Sequence, residues 1–555
     1  MSKIKIATLI LGIICQTSVV NATEIKDYFA DDSMITWENK NGETVQGTSN
    51  KLESTENLTF TGKTWVFLYD PTSGNRDVTF SAPEIKMESK IFINNDQKNS
   101  ITFDNTKVNF DKASWYTNSL DRGKIAFSGN SAIKLGENSW GKTLIQSNNL
   151  NGDVRFVVDN ASVAENGSEQ MCLSADATNG FENFSVKENT LYAIEDNGAT
   201  TGERQYTITQ RDINEIAEKG NYSEEQATLL KAMMQVSGNS LFDTVSTMVQ
   251  MGEDASDLLD GLRPATAAAQ SAAFDTTIST IRAIYNHITP TYDPLVYQKI
   301  KERTHITPWV EGMYTHTKNE MGKQGFVSNQ TGFAMGVDAN ITDKALIGAG
   351  YSQTTGSFDA EIGGKTDLDG YTGFIYGSWK PTQLFIAGMA AYSKMKYNNS
   401  GIEWNADVFG GQGAIGYEWG WIDVGVGARY IKVKSDDYKN AYGTDIKTKD
   451  SDMATGIAGV HAQKVFKDEK GWMLVPSAHV AATYDFKEAD DETSIFYNGT
   501  KLYTYKGEKP ERFGVEAGVG LRLQKGRLEL QLTYDGAFRK DIYSNSGFAT
   551  LKYHF

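Results

Sequence analysis

Cysteine is nearly missing from this chain of 555 residues, which contains only Cys15 and Cys172. Cys15 lies in a leader that we expect to be removed, so Cys172 stands alone in the mature chain and has no intramolecular disulfide partner. An exported protein without a disulfide is held together by backbone pairing and packing. We predict that Cys172 is a small buried residue of the core.

Histidine is missing from the first 286 residues, because all six histidines lie at position 287 or later. A Ser-His-Asp triad, a Cys-His pair and a histidine-ligated zinc site are therefore excluded from that region. Paired carboxylates such as Asp31 and Asp32 are still compatible with a glycosidase. We predict no catalytic, cofactor-binding or metal-binding residue and no cofactor, and we expect that the chain is not an enzyme.

Residues 23–208 lack a positive cluster, and the chain lacks a long apolar run. The formal net charge is −16, and the acidic residues 23–208 contain no cluster of lysine or arginine, which argues against a nucleic-acid partner. No stretch reaches the roughly 18 consecutive apolar residues of a membrane-spanning helix.

Residues 1–22 have the pattern of a secretory signal peptide. Lys3 and Lys5 precede an apolar run over residues 6–14, and small residues follow, so cleavage is expected after Ala22. Nine apolar residues are too few for a membrane anchor. A lipoprotein anchor at Cys15 is disfavoured by the bulky Ile14 before it.

Residues 23–208 repeat short triplets of apolar, polar and apolar residues, most of them followed by Asp, Asn or Gly. This alternation predicts strands with one inward face, and the following residues predict turns. The spacing favours coils of a β-solenoid with more than one strand per coil, and a twisted antiparallel sandwich is the alternative. The triplets lie at 58–60, 78–80, 101–103, 108–110, 125–127, 133–135 and 154–156.

Residues 209–300 change to the three-to-four-residue spacing that is typical of helices. We predict helical segments over 212–234, broken at Gly220, and around 242–249. A short helix over 254–262 should end at Pro264, and an Ala-, Ser- and Thr-rich helix should follow over 265–288. This region is interpreted as a helical linker.

Residues 301–555 alternate apolar and polar side chains with period two. In a soluble sandwich the polar face would point outward, whereas in a membrane barrel it lines the lumen. Tight turns mostly alternate with longer loops, and tryptophans lie near strand ends, which favours a barrel with its long loops outside. The twelve predicted strands are 306–316, 330–342, 345–357, 368–380, 384–398, 404–420, 421–435, 452–466, 473–487, 512–525, 528–541 and 545–555.

The last predicted strand ends in alternating apolar residues. Leu551, Tyr553 and Phe555 lie on one face. A terminal aromatic residue on the lipid face resembles the signal that the bacterial barrel-assembly machinery reads, so we predict this machinery as a partner.

Several barrel segments resemble the strands of the monomeric (type V) autotransporters. Residues 308–312 (Pro-Trp-Val-Glu-Gly) resemble the family's first strand, and residues 331–338 (Thr-Gly-Phe-Ala-Met-Gly-Val-Asp) its glycine-rich second strand. Residues 347–352 (Ile-Gly-Ala-Gly-Tyr-Ser) resemble the third strand, and residues 532–538 (Leu-Thr-Tyr-Asp-Gly-Ala-Phe) a strand near the family's end. The resemblance covers the barrel and does not extend to residues 23–208.

The resemblance implies a mainly β protein with a C-terminal twelve-stranded antiparallel outer-membrane barrel. A helical linker over residues 209–300, whose last helix is a pore helix, would join it to an N-terminal, β-solenoid-like passenger that is exported to the cell surface. We expect outer-membrane lipid as a partner, and an adhesive passenger with a host-cell or matrix ligand. A catalytic passenger, for example one that cleaves glycans, and an outer-membrane channel with a periplasmic N-terminal region are the alternatives.

One short segment is similar to a motif of the esterase passengers of this family. Residues 238–241 (Gly-Asn-Ser-Leu) differ at one position from the Gly-Asp-Ser-Leu block of those enzymes, but no partner histidine is available. We instead predict a helix N-cap at Asn239 or Ser240.

Overall fold

The computed structural model describes two compact units of the chain, Met1–Asp260 and Gly261–Phe555. The predicted linker over residues 209–300 is divided between them. Ala22, the predicted cleavage position, lies outside the described residues. These are 23–25, 36–38, 44–46, 51–53, 55, 57–60, 65–67, 77–87, 92–94, 100–110, 115–117, 124–288 (without 148, 176–178 and 201) and 305–555 (without 343 and 362).

The first unit is a parallel β-solenoid with three sheets, to which each complete coil contributes three strands. Sheet 1 contains β4, β7, β10, β13 and β16, sheet 2 contains β1, β5, β8, β11, β14 and part of β16, and sheet 3 contains β6, β9, β12, β15 and β17. The strands are β1 Thr23–Ile25, β2 Thr36–Glu38, β3 Thr44–Gln46, β4 Lys51–Glu53, β5 Leu58–Phe60, β6 Trp65–Phe67, β7 Asp77–Ser81, β8 Glu84–Met87, β9 Phe92–Asn94, β10 Ser100–Asp104, β11 Lys107–Asn109, β12 Trp115–Thr117, β13 Lys124–Ser128, β14 Ala132–Leu135, β15 Thr143–Gln146, β16 Asn149–Val158, β17 Ser168–Ser174 and β18 Asn183–Val186.

The predicted triplets are the strands of sheets 1 and 2, which confirms the solenoid and excludes the sandwich. In sheet 1 Phe103 pairs in register with Phe80 and Phe127, and the ring centroids stack at 5.9 and 5.6 Å. Phe80, Phe103 and Phe127 are buried, so each coil covers the apolar face of the one before it.

The prediction for Cys172 was wrong. It lies on β17 between Met171 and Leu173, both of which are completely buried. Since side chains alternate across a strand, Cys172 points to the outer face of sheet 3, where it is half-buried.

A hairpin and four helices follow the last coil within the first unit. Strand β19 (Tyr192–Thr200) pairs with β20 (Glu203–Gln210), and β20 pairs with β17 in antiparallel orientation. The helices α1 to α3 are Ile213–Gly220, Glu224–Met233 and Ser240–Gln250, and α4 is Ser256–Gly261. Asn239 caps α3 by accepting from the backbone N–H groups of Leu241 and Phe242, which confirms the predicted N-cap.

Helix α3 closes the free edge of β16. The Gln250 side-chain amide accepts from Val158 N at 2.7 Å and donates to Val158 O at 2.9 Å. Asn189 donates to Phe156 O at 2.7 Å. These amides satisfy backbone groups that would otherwise be buried without partners, because Gln250 is only 1% exposed.

The second unit is a closed barrel of twelve antiparallel strands around helix α5 (Thr266–Ile288). Strand β21 pairs with both β22 and β37, and this pairing closes the barrel. The twelve strands are β21 His305–Asn319, β22 Phe326–Thr342, β23 Ala345–Ala360, β24 Gly364–Trp379, β25 Leu384–Asn399, β26 Ile402–Trp419, β27 Ile422–Ser435, β30 Ser451–Gln463, β32 Trp472–Lys487, β35 Phe513–Lys525, β36 Leu528–Arg539 and β37 Ile542–Tyr553.

All twelve predicted barrel strands are confirmed, with differences at their ends. The first strands extend further than predicted, so the first two long loops shrink to residues 320–325 and 361–363. The two longest loops, 436–450 and 488–512, fold together into a four-stranded sheet that was not predicted. Its strands are β28 Tyr438–Lys439, β29 Asp445–Thr448, β33 Glu492–Tyr497 and β34 Thr500–Lys506. At the opposite rim the two-residue strand β31 Phe466–Lys467 pairs with β32.

The barrel has an apolar outer face and a lumen lined by polar and aromatic side chains. Ile375 and Val426 are 65% and 58% exposed, whereas the inward-facing Thr372 and Arg429 are buried. The outer face therefore matches a hydrocarbon environment. Among the described helices, none is both long enough and apolar enough to cross a membrane.

We predict that Gln250→Ala destabilises the solenoid by about 2–4 kcal/mol, because Val158 N and O lose their partners while they remain buried. This change is measured by urea unfolding of the full-length protein in detergent, with the susceptibility of the first unit to proteolysis as the readout. Gln205→Ala removes an amide from the surface of the same unit and should cost no more than about 0.5 kcal/mol. Equal midpoints for both variants would contradict the edge-capping role.

Candidate functional site: the barrel lumen

Helix α5 lies in the lumen and packs mainly against one side of the barrel wall, strands β23 to β27. Its small residues, such as Ala269, Ala272 and Ala273, allow close approach to large apolar side chains of the wall, among them Met395 and Tyr397. Gly410 has no side chain where α5 passes, since an added Cβ would lie 2.8 Å from Thr277 Cγ2. The helix is therefore held by close packing along its length and not by a single contact.

Hydroxyl groups fix the other faces of α5 to the wall. Ser279 Oγ lies 2.7 Å from Thr315 Oγ1 and 2.8 Å from Ser546 Oγ, and Thr276 donates to Gln330 Oε1 at 2.8 Å. These short side chains provide hydrogen bonds without enlarging the helix. An Ala-, Ser- and Thr-rich helix is thus suited to a narrow lumen with a polar wall.

Several charged side chains of the lumen lie next to a partner of opposite charge. Arg282 of α5 has its Nη2 atom 3.7 Å from Asp535 Oδ1, and His479 Nε2 lies 2.9 Å from the same oxygen. On the wall, Arg429 makes two hydrogen bonds to Glu516, at 2.8 and 3.1 Å. Buried charges that are paired in this way avoid the large cost of desolvating an isolated ion.

A cavity of about 160 Å³ lies beside α5, where the wall consists of strands from β25 to β36. Arg282, Arg429, His461, His479 and Glu516 contribute to its lining. Within the described part of the chain, no group of three or more His, Cys, Asp or Glu side chains is arranged to hold a metal ion. The site is a pore in which the helix packs against the wall.

The N-terminal end of α5 lies against the four-stranded loop sheet. Thr266 Oγ1 is 2.9 Å from Thr493 Oγ1, and Gln270 donates to Lys449 O at 2.9 Å. Ser271 donates to Asp491 Oδ2 at 3.5 Å. Asp491 lies outside the membrane-spanning strands, and its burial raises the pKa of this carboxyl to about 7. One end of the helix is thus held at the rim that carries the two longest loops.

The three C-terminal residues predicted to face the lipid lie on the outer face of the barrel. Leu551, Tyr553 and Phe555 are 43%, 40% and 63% exposed, and the rings of Tyr553 and Phe555 are 4.9 Å apart. Their predicted role in barrel assembly stays a prediction.

Sequence reasoning identified the pore helix but missed the ion pairs, because the partners of Arg282 and Arg429 are far away in sequence.

Together, the apolar exterior, the polar wall and the helix in the lumen define an outer-membrane β-barrel of the plugged type. Residues 308–535 match the family of the autotransporter beta-domain. The C-terminal unit is an autotransporter β-domain, and the protein is located in the bacterial outer membrane.

Relatives and solved structures resemble parts of the chain. Outer membrane protein B of Rickettsia rickettsii is 26% identical over 170 residues, which are 25% of this chain and 10% of the relative. Outer membrane protein B of Rickettsia japonica is 24% identical over 204 residues, which are 31% of this chain and 12% of the relative. The chain thus spans about a tenth of the length of the curated relatives that it matches.

Two autotransporter structures align with about half of this chain. The translocator domain of NalP from Neisseria meningitidis is 14% identical with a TM-score of 0.40, and the alignment covers 52% of this chain and 98% of that one. The transport unit of AIDA-I from Escherichia coli is 15% identical with a TM-score of 0.35, and the alignment covers 50% and 98%.

We predict that Gly410→Val displaces α5, since the new Cβ would lie only 2.8 Å from Thr277 Cγ2 and the two methyl groups of valine add further volume on this side. Single-channel recordings in planar bilayers should then show higher conductance and more frequent opening than for the unmodified protein. Gly413→Val is the matched control, because Gly413 lies on the outward face of the same strand and an added Cβ meets only a backbone oxygen, at 4.0 Å. Equal conductance of the two variants would show that α5 does not depend on the space at Gly410.

Proposed function

We propose that this protein is an autotransporter that exports its own N-terminal region, the solenoid and its helical cap, to the cell surface. The observation that supports this proposal is the course of the chain through the lumen. Helix α5 starts at the long-loop rim, where Thr266 meets Thr493, and strand β21 starts at the tight-turn rim, where His305 pairs with Asn340. The chain thus passes through the barrel from one rim to the other.

The difference between the two rims supports the direction of export. Outer-membrane barrels place short turns in the periplasm and longer loops outside. The turns next to Lys344, Gly420 and Gly526 are short, whereas the loops 436–450 and 488–512 are the longest of the barrel. Residue 266 then lies at the extracellular rim, and the passenger before it leaves the barrel on that side.

The solenoid supplies a source of free energy for export. ATP is not available outside the inner membrane, so the driving force must come from the passenger itself. Each coil that folds outside buries its apolar face on the previous coil, as Phe103 does on Phe127, and so opposes backward sliding.

We further propose that the passenger is a binding module for a host-cell or matrix ligand and not an enzyme. All six histidines lie after residue 286, so the commonest hydrolytic and zinc chemistries are missing from the solenoid. A passenger with a carboxylate-based glycosidase activity is the alternative. Outer-membrane lipid surrounds the barrel, and the barrel-assembly machinery is proposed to recognise Leu551, Tyr553 and Phe555 after the leader is cleaved behind Ala22.

Export is tested with the natural Cys172 as a probe. We expect a membrane-impermeant maleimide to label Cys172 on intact cells, or on fragments released into the medium. Labelling is best done at about pH 8.5, because burial and the nearby Glu203 carboxylate raise the pKa of this thiol. The matched control combines Cys172→Ser with Lys470→Cys at the tight-turn rim, which should react only after the outer membrane is permeabilised.

Labelling of Cys172 only after permeabilisation would instead support a channel with a periplasmic N-terminal region. A signal from the Lys470→Cys control on intact cells would reverse the proposed orientation of the barrel. The two variants therefore separate export from orientation.

The binding role predicts that cells displaying the full-length protein adhere to host cells or matrix proteins more strongly than cells that display a version lacking residues 23–208. Purified full-length protein should leave glycan substrates uncleaved. Cleavage without adhesion would replace the binding module with the catalytic alternative.

A further inference from the structure

Two strands of the barrel carry the same outward pattern of one tyrosine followed by two lysines. In β25 it is Tyr392, Lys394 and Lys396, and in β27 it is Tyr430, Lys432 and Lys434. The residues between them, Ser393, Met395, Ile431 and Val433, are buried in the lumen. All six patterned side chains therefore belong to the outer face of the barrel.

The tyrosines mark the boundary between hydrocarbon and headgroups. Tyr392 donates to Asp407 at 2.8 Å, and Tyr430 donates to Asp452 at 3.0 Å, while both rings stay about half exposed. Tyrosine prefers this interface because its ring is apolar and its hydroxyl is polar. Both strands run towards the long-loop rim, so the lysines lie roughly 7 and 13 Å beyond the tyrosines, at the level of the outer headgroups.

The register brings lysines of the two strands together across β26. Asp407 of β26 pairs with Lys394 of β25 on one side and with Lys434 of β27 on the other. Neighbouring strands are about 4.8 Å apart, so the backbones of the two lysines are about 10 Å apart. The side chains are long enough for both ammonium groups to contact one ligand on the outer face of β26.

Lys394 and Lys434 share one cross-strand carboxylate, Asp407. Lys432 is paired with Asp450 at 3.1 Å, and Asp407 is shared with the Tyr392 hydroxyl. Among the described residues no carboxylate forms an ion pair with Lys394 or Lys434. Two exposed ammonium groups therefore face a single carboxylate that is already hydrogen-bonded.

An apolar surface lies directly below the lysines. Phe409 is outward on β26, two residues from Asp407 towards the membrane centre, and it is 52% exposed with its ring 5.0 Å from that of Tyr392. A ligand that fits both parts has an anionic head and an acyl tail. A free anion would use only the lysines.

We propose that Lys394 and Lys434 form a binding site for a phosphate group of an outer-leaflet glycolipid whose acyl chains pack on Phe409. The outer leaflet of a bacterial outer membrane is built from glycolipids that carry phosphates next to their acyl chains. A phosphate accepts hydrogen bonds from several ammonium groups at once, and lysines near an anionic membrane surface each strengthen binding about fivefold. The site would fix the rotation and height of the barrel in the membrane.

The test measures binding of diphosphorylated lipid A to the full-length protein in detergent by native mass spectrometry. The double variant Lys394→Gln and Lys434→Gln should weaken binding about 30-fold, and each single variant about fivefold. Lys394→Arg with Lys434→Arg should keep the affinity, because both positive charges remain. The control Lys467→Gln with Lys470→Gln removes two positive charges at the opposite rim and should have no effect.

Three results would overturn the site. The first is equal affinity of the unmodified protein and the Lys394/Lys434 glutamine variant, with folding of both confirmed by their heat-modifiable mobility. The second is equal binding of dephosphorylated lipid A, and the third is displacement of the lipid by millimolar inorganic phosphate, which would identify a site for free anions.

Discussion

Closure of the hydrogen-bonded ladder between β21 and β37 is the constraint on which the second unit depends. In hydrocarbon no water is available for an unpaired N–H or C=O group, so a sheet can cross the membrane only when its first and last strands pair. Residues 309–319 pair with residues 542–552 across this seam. Once the barrel is closed, the period-two alternation determines which side chains face outward and which face the lumen. Ile375 and Val426 then face the lipid, and Thr372 and Arg429 face the lumen.

The closed wall then determines what can occupy the lumen. Helix α5 lies against the apolar side formed by Met395 and Tyr397, and its serine and threonine hydroxyls bond to the rest of the wall. The helix does not fill the lumen evenly, and the charged residues Arg282, Arg429 and Glu516 line the cavity that remains. Packing on one side and paired charges on the other divide the lumen into an apolar and a polar half.

Local periodicity was enough to predict the strands and helices, because each one has a face that must be buried. The triplet at 101–103 and the alternation over 528–535 directly reflect such faces. Sheet 3 was missed because Phe92, Ile93 and Asn94 do not alternate, and the outward position of Cys172 depends on the register of β17. The pairing of Arg429 with Glu516 and the four-stranded loop sheet arise only when distant segments meet, so no local pattern predicts them.

The amide of Gln250 on Val158 has a consequence for assembly between molecules. An open strand edge at the end of a solenoid is a template on which another chain can continue the sheet, and such edges lead to fibres. Because the side chain of Gln250 already occupies the backbone groups of Val158, an incoming strand finds neither a donor nor an acceptor there. Many copies can thus be crowded on one membrane without polymerising through this edge.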